Sequence, residues 1–154
     1  MARSLVRPIL IGTLIAGTLD ILAAVILTLY YGGEPMLMLR KNVASGPFPG
    51  AVEWGTAGSI LGLAVHFTLT AIMVTVFVLA AARFRQLWQN PILWGVLYGL
   101  ATYVVMNLIV VPLRFHRWPS TTGIVTQLFC HIVLVGIPVA LVTAKHFRSR
   151  SAFR

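Results

Sequence analysis

Asp20 stands in the middle of an apolar run. At the centre of a membrane helix a carboxylate costs about 2.5–3.5 kcal/mol on insertion scales, so it marks a site unless it meets a partner or a water-filled cavity. Three further apolar runs supply candidate partners at the same depth. Asp20 lies eleven residues before Tyr31, His66 ten after Thr56, Tyr103 ten before Leu113 and His131 nine after Thr122. At ~1.5 Å of rise per residue, all four fall roughly 14 to 17 Å below one boundary. An acid, two imidazoles and a phenol in one layer have three kinds of chemistry open to them. They can bind a metal, a haem or a small ligand, pass protons or ions, or hydrogen-bond to one another and fix the geometry of a helix bundle.

Helical faces extend the layer. On the first run Thr13, Ala16, Gly17, Asp20 and Ala24 share one side, a small-residue stripe suited to close helix contact. On the second, Gly58, Gly62, His66 and Thr70 are spaced by four. On the third, Gly99, Tyr103 and Asn107 align, and on the fourth Gln127 and His131 do. The candidate layer is therefore Asp20, His66, Thr70, Tyr103, Asn107, Gln127 and His131.

A b-type haem needs two neutral histidines on different helices at equal depth. His66 and His131 meet that minimum, and Gly58 and Gly62 would leave room for the ring. A transition metal would take the same two histidines and a carboxylate, although no HExxH or CxxC sequence accompanies them. Cys130 adjoins His131, but neighbours on a helix point about 100° apart, so the two are poorly placed to share one ion. As the single cysteine, Cys130 also excludes an intrachain disulfide and reads as a buried thiol. No nucleophile and base stand at a known catalytic spacing, which favours a non-enzymatic role.

Membrane helices must position these groups. Hydrophobic residues make up 58% of the 154 and charged ones 10%, with a mean hydropathy of +0.90, far from a soluble domain with a quarter of its residues charged. Residues 9–31, 56–82, 92–113 and 122–144 are each long enough to span a bilayer. They predict an all-α, four-helix membrane bundle occupying 1–154 as a single domain. The first run reads as a retained helix and not a cleaved signal, because it continues through Asp20 to Tyr31 without a small-residue cleavage site.

The net charge of +9 is spread over every hydrophilic segment, which argues against a nucleic-acid face. Arg3, Arg7, Arg83, Arg85, Lys145, Arg148, Arg150 and Arg154 fall on one side and Arg40, Lys41, Arg114 and Arg117 on the other, 8 against 4 of the 12. The positive-inside rule then places both termini in the cytoplasm. Aromatic residues support the same frame, with Tyr30, Tyr31, Trp54, Phe115 and Trp118 at the outer interface and Phe84, Trp88, Trp94 and Phe147 at the inner one. The tail from Lys145 onward is suited to anionic lipid.

The connections differ in kind. Residues 83–90 predict a short basic turn ended by Pro91 at the first position of the third helix, and 114–121 an outer turn with Ser120, Thr121 or Thr122 as a cap. Between Gly32 and Gly55, Glu34-Pro35 opens a short interfacial helix, which the Gly46-Pro47-Phe48-Pro49-Gly50 cluster must break; a disordered lid is the alternative. Pro112 and Pro138 are expected to end or kink their helices.

GTLDI from Gly17, GLAVHFTLT from Gly62, GVLYGLATYVVMNLIVVPL from Gly95 and CHIVLVGIPVAL from Cys130 together resemble a family of small uncharacterised bacterial inner-membrane proteins, and more distantly the YagU-type membrane proteins. The resemblance covers all four runs and includes Asp20, His66, Tyr103, Asn107 and His131. It implies an inner-membrane location and a four-helix fold, and supplies no activity. Two functions follow as expectations: a membrane protein that binds a small ligand, metal or haem in its polar layer, or an accessory subunit of a larger membrane complex. Its surroundings would be the lipid bilayer, with a membrane-protein partner or a second copy of itself.

Overall fold

The structure is a computed structural model that describes residues 2–151, with the side chains of 5–149. Arg154 and the side chains of Arg3 and Arg150, counted above for orientation, lie outside the described residues. Those residues are all-α, with no strand among them. Four helices are long and apolar enough to cross a membrane: Leu5–Tyr30, Gly55–Arg83, Pro91–Phe115 and Thr121–Ser149. Each matches one of the expected runs and extends past it at one end or both. Arg83, Lys145 and Arg148 are helical because the backbone ladder continues where the apolar stretch stops, and long basic stems can lie along it. Contacts divide the chain into two compact units, the larger comprising the chain up to Asp20 and from Thr70 onward, the smaller Ile21–Leu69.

In the larger unit, Ala16 joins Val74, Phe77, Val78, Ala81, Val135, Val139 and Ala140 in a buried cluster. The small stripe of the first span faces it. Pro8, Gly12, Ala16 and Gly17 are all buried, and a methyl group on Gly12 would stand 2.9 Å from Val74 Cγ1. Trp88, Trp94 and Phe147, expected at an interface, pack against the same cluster. Tyr98 packs its ring on Phe77, with centroids 4.8 Å apart, and donates its hydroxyl to the Met73 carbonyl at 2.6 Å. A half-buried phenol in an apolar span is stabilised by such an acceptor.

The third and fourth spans approach backbone to backbone. A methyl on Gly95 would meet Ile137 Cα at 2.8 Å, one on Gly99 would meet Ile132 Cα at 2.5 Å, and one on Gly136 would meet Gly99 Cα at 2.8 Å. Gly95-x-x-x-Gly99 is thus the small-residue motif that brings this pair together.

Neither mid-span proline ends its helix. Pro112 and Pro138 each follow a π-helical stretch, Val104–Val110 and Cys130–Gly136, and α-helix resumes at Val111 and Ile137. Proline lacks an N–H and crowds the carbonyl four residues back, and a locally wider turn relieves that conflict. The third span stops instead at His116, whose left-handed backbone (φ 51) closes the helix. Pro91 opens the third span, as its sequence predicts, and Ser120 caps the fourth by accepting from the Gly123 N–H at 3.2 Å. The basic turn between the second and third spans contains a short helix, Gln86–Gln89.

In the smaller unit the first span ends at Gly32 (φ 73), and the Gly33 N–H returns to the Thr28 carbonyl at 2.8 Å. The outer loop is helical: Pro35–Met38, then a π-helical stretch Leu39–Ala44, a turn, and a 3-10 helix Pro49–Glu53 leading into the second span. Leu39, Ala44, Ser45 and Ala51 are buried, so this segment is ordered and folded onto the protein rather than a loose lid. Its seat is the start of the second span. Methyl groups on Gly58 and Gly62 would collide with the carbonyl oxygens of Ala51 and Leu39, and the buried Ser59 hydroxyl donates to the Met36 carbonyl at 2.7 Å.

Candidate functional site: a polar layer in the larger unit

His131 and Tyr103 meet. Their rings are 6.0 Å apart between centroids and nearly perpendicular, at 85°, and both residues are buried, 8% and 5% exposed. The glycine crossing makes this possible, since Gly99 lies one turn before Tyr103 and sits against the backbone of His131 and Ile132. With that backbone contact set, the aligned residues of the two helices must face each other one turn further on.

The imidazole is oriented from its own helix. Nδ1 lies 2.9 Å from the Gln127 carbonyl oxygen, and a carbonyl can only accept, so Nδ1 carries a proton and, in the neutral tautomer, Nε2 is the acceptor nitrogen. Gln127 therefore reaches His131 through its main chain, where the sequence pattern suggests its side-chain amide. Asp20, half-buried on the first span, lies within electrostatic range of both Cys130 and His131. Of the expected layer, Tyr103 and His131 are in contact, and Asp20 lies within electrostatic range of His131. Thr70 is buried in the same unit, and Asn107 is half-buried on the π-helical stretch of the third span. Thr13, on the first-span stripe, has a buried hydroxyl oxygen with no hydrogen-bond partner among the described residues.

His66 belongs to the smaller unit, half-buried, with its ring edge-on to Phe67 at 5.4 Å. The room that Gly58 and Gly62 were expected to leave for a haem ring is taken by Leu39 and Ala51 of the outer loop. Among the described residues no three His, Cys, Asp or Glu side chains form a metal-ligand set. Two surface depressions occur elsewhere, one lined by residues between Arg83 and Gln89 and one by Leu108, Ile109, Pro112, Leu113, His116 and Trp118; neither touches Tyr103 or His131.

Gly95, Gly136, Tyr98 and Ser59 lie outside the layer expected from the sequence, yet each makes a close contact within its unit. For the first of these a signal was present in the G-x-x-x-G spacing inside an apolar run. Comparison with protein-family models, with curated proteins and with solved structures gave no match to this chain.

Proposed function

We propose that this chain is a non-enzymatic multi-pass protein of a bacterial inner membrane, with both termini cytoplasmic. It serves as an accessory or structural subunit, and its Asp20, Tyr103 and His131 layer holds the third and fourth spans in register. The geometry of His131 carries this reading. Its Nδ1 proton is spent on a carbonyl of its own helix, its ring is closed in by Tyr103, and its backbone is pressed against Gly99. Such a buried pair of rings, in edge-on contact across a backbone-to-backbone crossing, resists sliding of one helix past the other. Ala57, Ala64 and Thr68 give the second span an exposed small-residue face, which supports a lateral helix partner, another subunit or a second copy. The excess of basic residues on one side and the resemblance to small inner-membrane proteins support the location.

One observation favours a second reading, a ligand or metal held by His131. Donation from Nδ1 to a carbonyl leaves Nε2 as the basic nitrogen, the tautomer that a ligating histidine adopts. His131→Asn separates the two, because its amide can keep the donor near Nδ1 and nothing replaces Nε2. With a structural layer, the purified wild type is colourless and metal-free and His131→Asn stays folded with a thermal midpoint close to wild type. A near-stoichiometric metal or haem band lost in a folded His131→Asn protein would overturn the structural reading. The subunit role has its own test: Ala64→Cys in a Cys130→Ala background should crosslink to a second chain in native membranes, and an exclusively monomeric pattern counts against it.

A further inference from the structure

At the basic end of the second span, a depression of about 470 Å³ is lined by Arg83, Phe84, Arg85, Gln86 and Gln89. Two guanidiniums and two carboxamides make it rich in donors. Arg83 lies over the Phe84 ring at 5.9 Å and Arg85 over the Trp88 ring at 5.5 Å, contacts that orient a cation without neutralising it. No carboxylate side chain is available from this end of the sequence, since the three acidic residues, Asp20, Glu34 and Glu53, belong to the first span and the outer loop. Arg148 donates to the Gln89 carbonyl at 2.8 Å and brings a third guanidinium to the rim. Trp88, the ring under Arg85, stacks on Phe147 with 6.1 Å between centroids and 17° between planes, and both pack on the buried cluster.

A planar guanidinium fork matches the paired oxygens of a phosphate, and basic pockets beside membrane helices at the cytoplasmic interface are where phospholipid headgroups bind. We infer that this corner is a phosphate site, in which Arg83 and Arg85 clasp two oxygens of a phosphate group and the amides of Gln86 and Gln89 serve the rest. The phosphate is that of an anionic lipid headgroup or a soluble phosphate. The inference needs these helices to sit in a membrane and is independent of the role given to His131.

The test uses the full chain, delipidated and placed in phosphatidylcholine nanodiscs with or without phosphatidylglycerol, read by retained lipid in native mass spectrometry and by thermal midpoint. A third arm adds inorganic phosphate to phosphatidylcholine-only discs, against chloride at equal ionic strength. Phosphatidylglycerol should be retained and should raise the midpoint, and R83Q/R85Q should weaken retention about 25-fold, at roughly fivefold per arginine. The matched outer pair R114Q/R117Q should leave both readouts unchanged. Stabilisation by inorganic phosphate, lost in R83Q/R85Q, would support the site with a soluble source; stabilisation by phosphatidylglycerol alone would support it with a lipid source. Absence of preference for either over its control, or an equal loss in R114Q/R117Q, overturns it. If the double variant does not purify, R85Q alone gives the reading, with a loss of about fivefold. A wrong membrane reading would show earlier and differently, as protein in the soluble fraction before any lipid is added.

Discussion

Gly95 and Gly99 are four residues apart on the third span, and Gly58 and Gly62 are four apart on the second. The first pair receives another membrane helix, with Gly136 and Ile137 against it, while the second receives the carbonyls of the protein's own outer loop. The spacing in both cases says that a backbone comes close, because only a missing side chain lets it. It does not say which backbone. What decides is the chain on offer: a long apolar helix after one pair, and a short helical loop, residues 35–53, before the other.

Substitutions at the two pairs should therefore fail in different ways. Gly99→Leu drives a side chain into Ile132 and the His131 carbonyl, which are backbone atoms and cannot rotate aside. The expected loss is at least about 3 kcal/mol, with spans three and four separating, read as unfolding in a detergent titration. Wild-type stability in that variant would mean that Gly99 faces lipid and that the comparison is void. Gly62→Val should be milder and local, about 1–3 kcal/mol, releasing the loop while the spans stay helical. Proteolysis around 45–50 should rise sharply with circular dichroism unchanged; simultaneous loss of both would show that loop and spans form one cooperative unit. Ser59→Ala is the smallest, at about 1 kcal/mol for one buried hydrogen bond. Hydrogen exchange in the loop helix should speed up, whereas no change would assign the hydroxyl to its longer contact with Gly55, at 3.3 Å.

The legible parts of this molecule are those governed by periodicity and hydropathy. The four spans, the opening of the third at Pro91 and the cap at Ser120 all follow from local chemistry that needs no tertiary partner. The meeting of Tyr103 with His131 was legible as a shared depth, and Gly99 one turn before Tyr103 held the missing rotational term. The loop was legible as a helix start at Glu34-Pro35 but not as a structure seated on Gly58, Ser59 and Gly62, because the contacts are made by its main-chain oxygens, to which side-chain identity is nearly blind. The same blindness covers Gln127, whose amide drew attention while its carbonyl holds the imidazole. Of the two outcomes expected at Pro112 and Pro138, an end or a kink, the end does not occur: the rule that proline breaks a helix assumes the α ladder, and the chain changes ladder before each of them.

That change of ladder leaves spare length inside two membrane spans. A π-helical turn bridges one residue more than an α turn, so Val104–Val110 and Cys130–Gly136 each hold slack in the middle of an otherwise taut rod. Removing one residue from an ordinary helix swings everything beyond it by about 100° and turns a buried stripe toward lipid. At these two places the deletion can be absorbed where it occurs, by tightening the wide turn. The middle of the third and fourth spans is therefore where this chain could lose a residue and still keep both ends of each helix facing as they do.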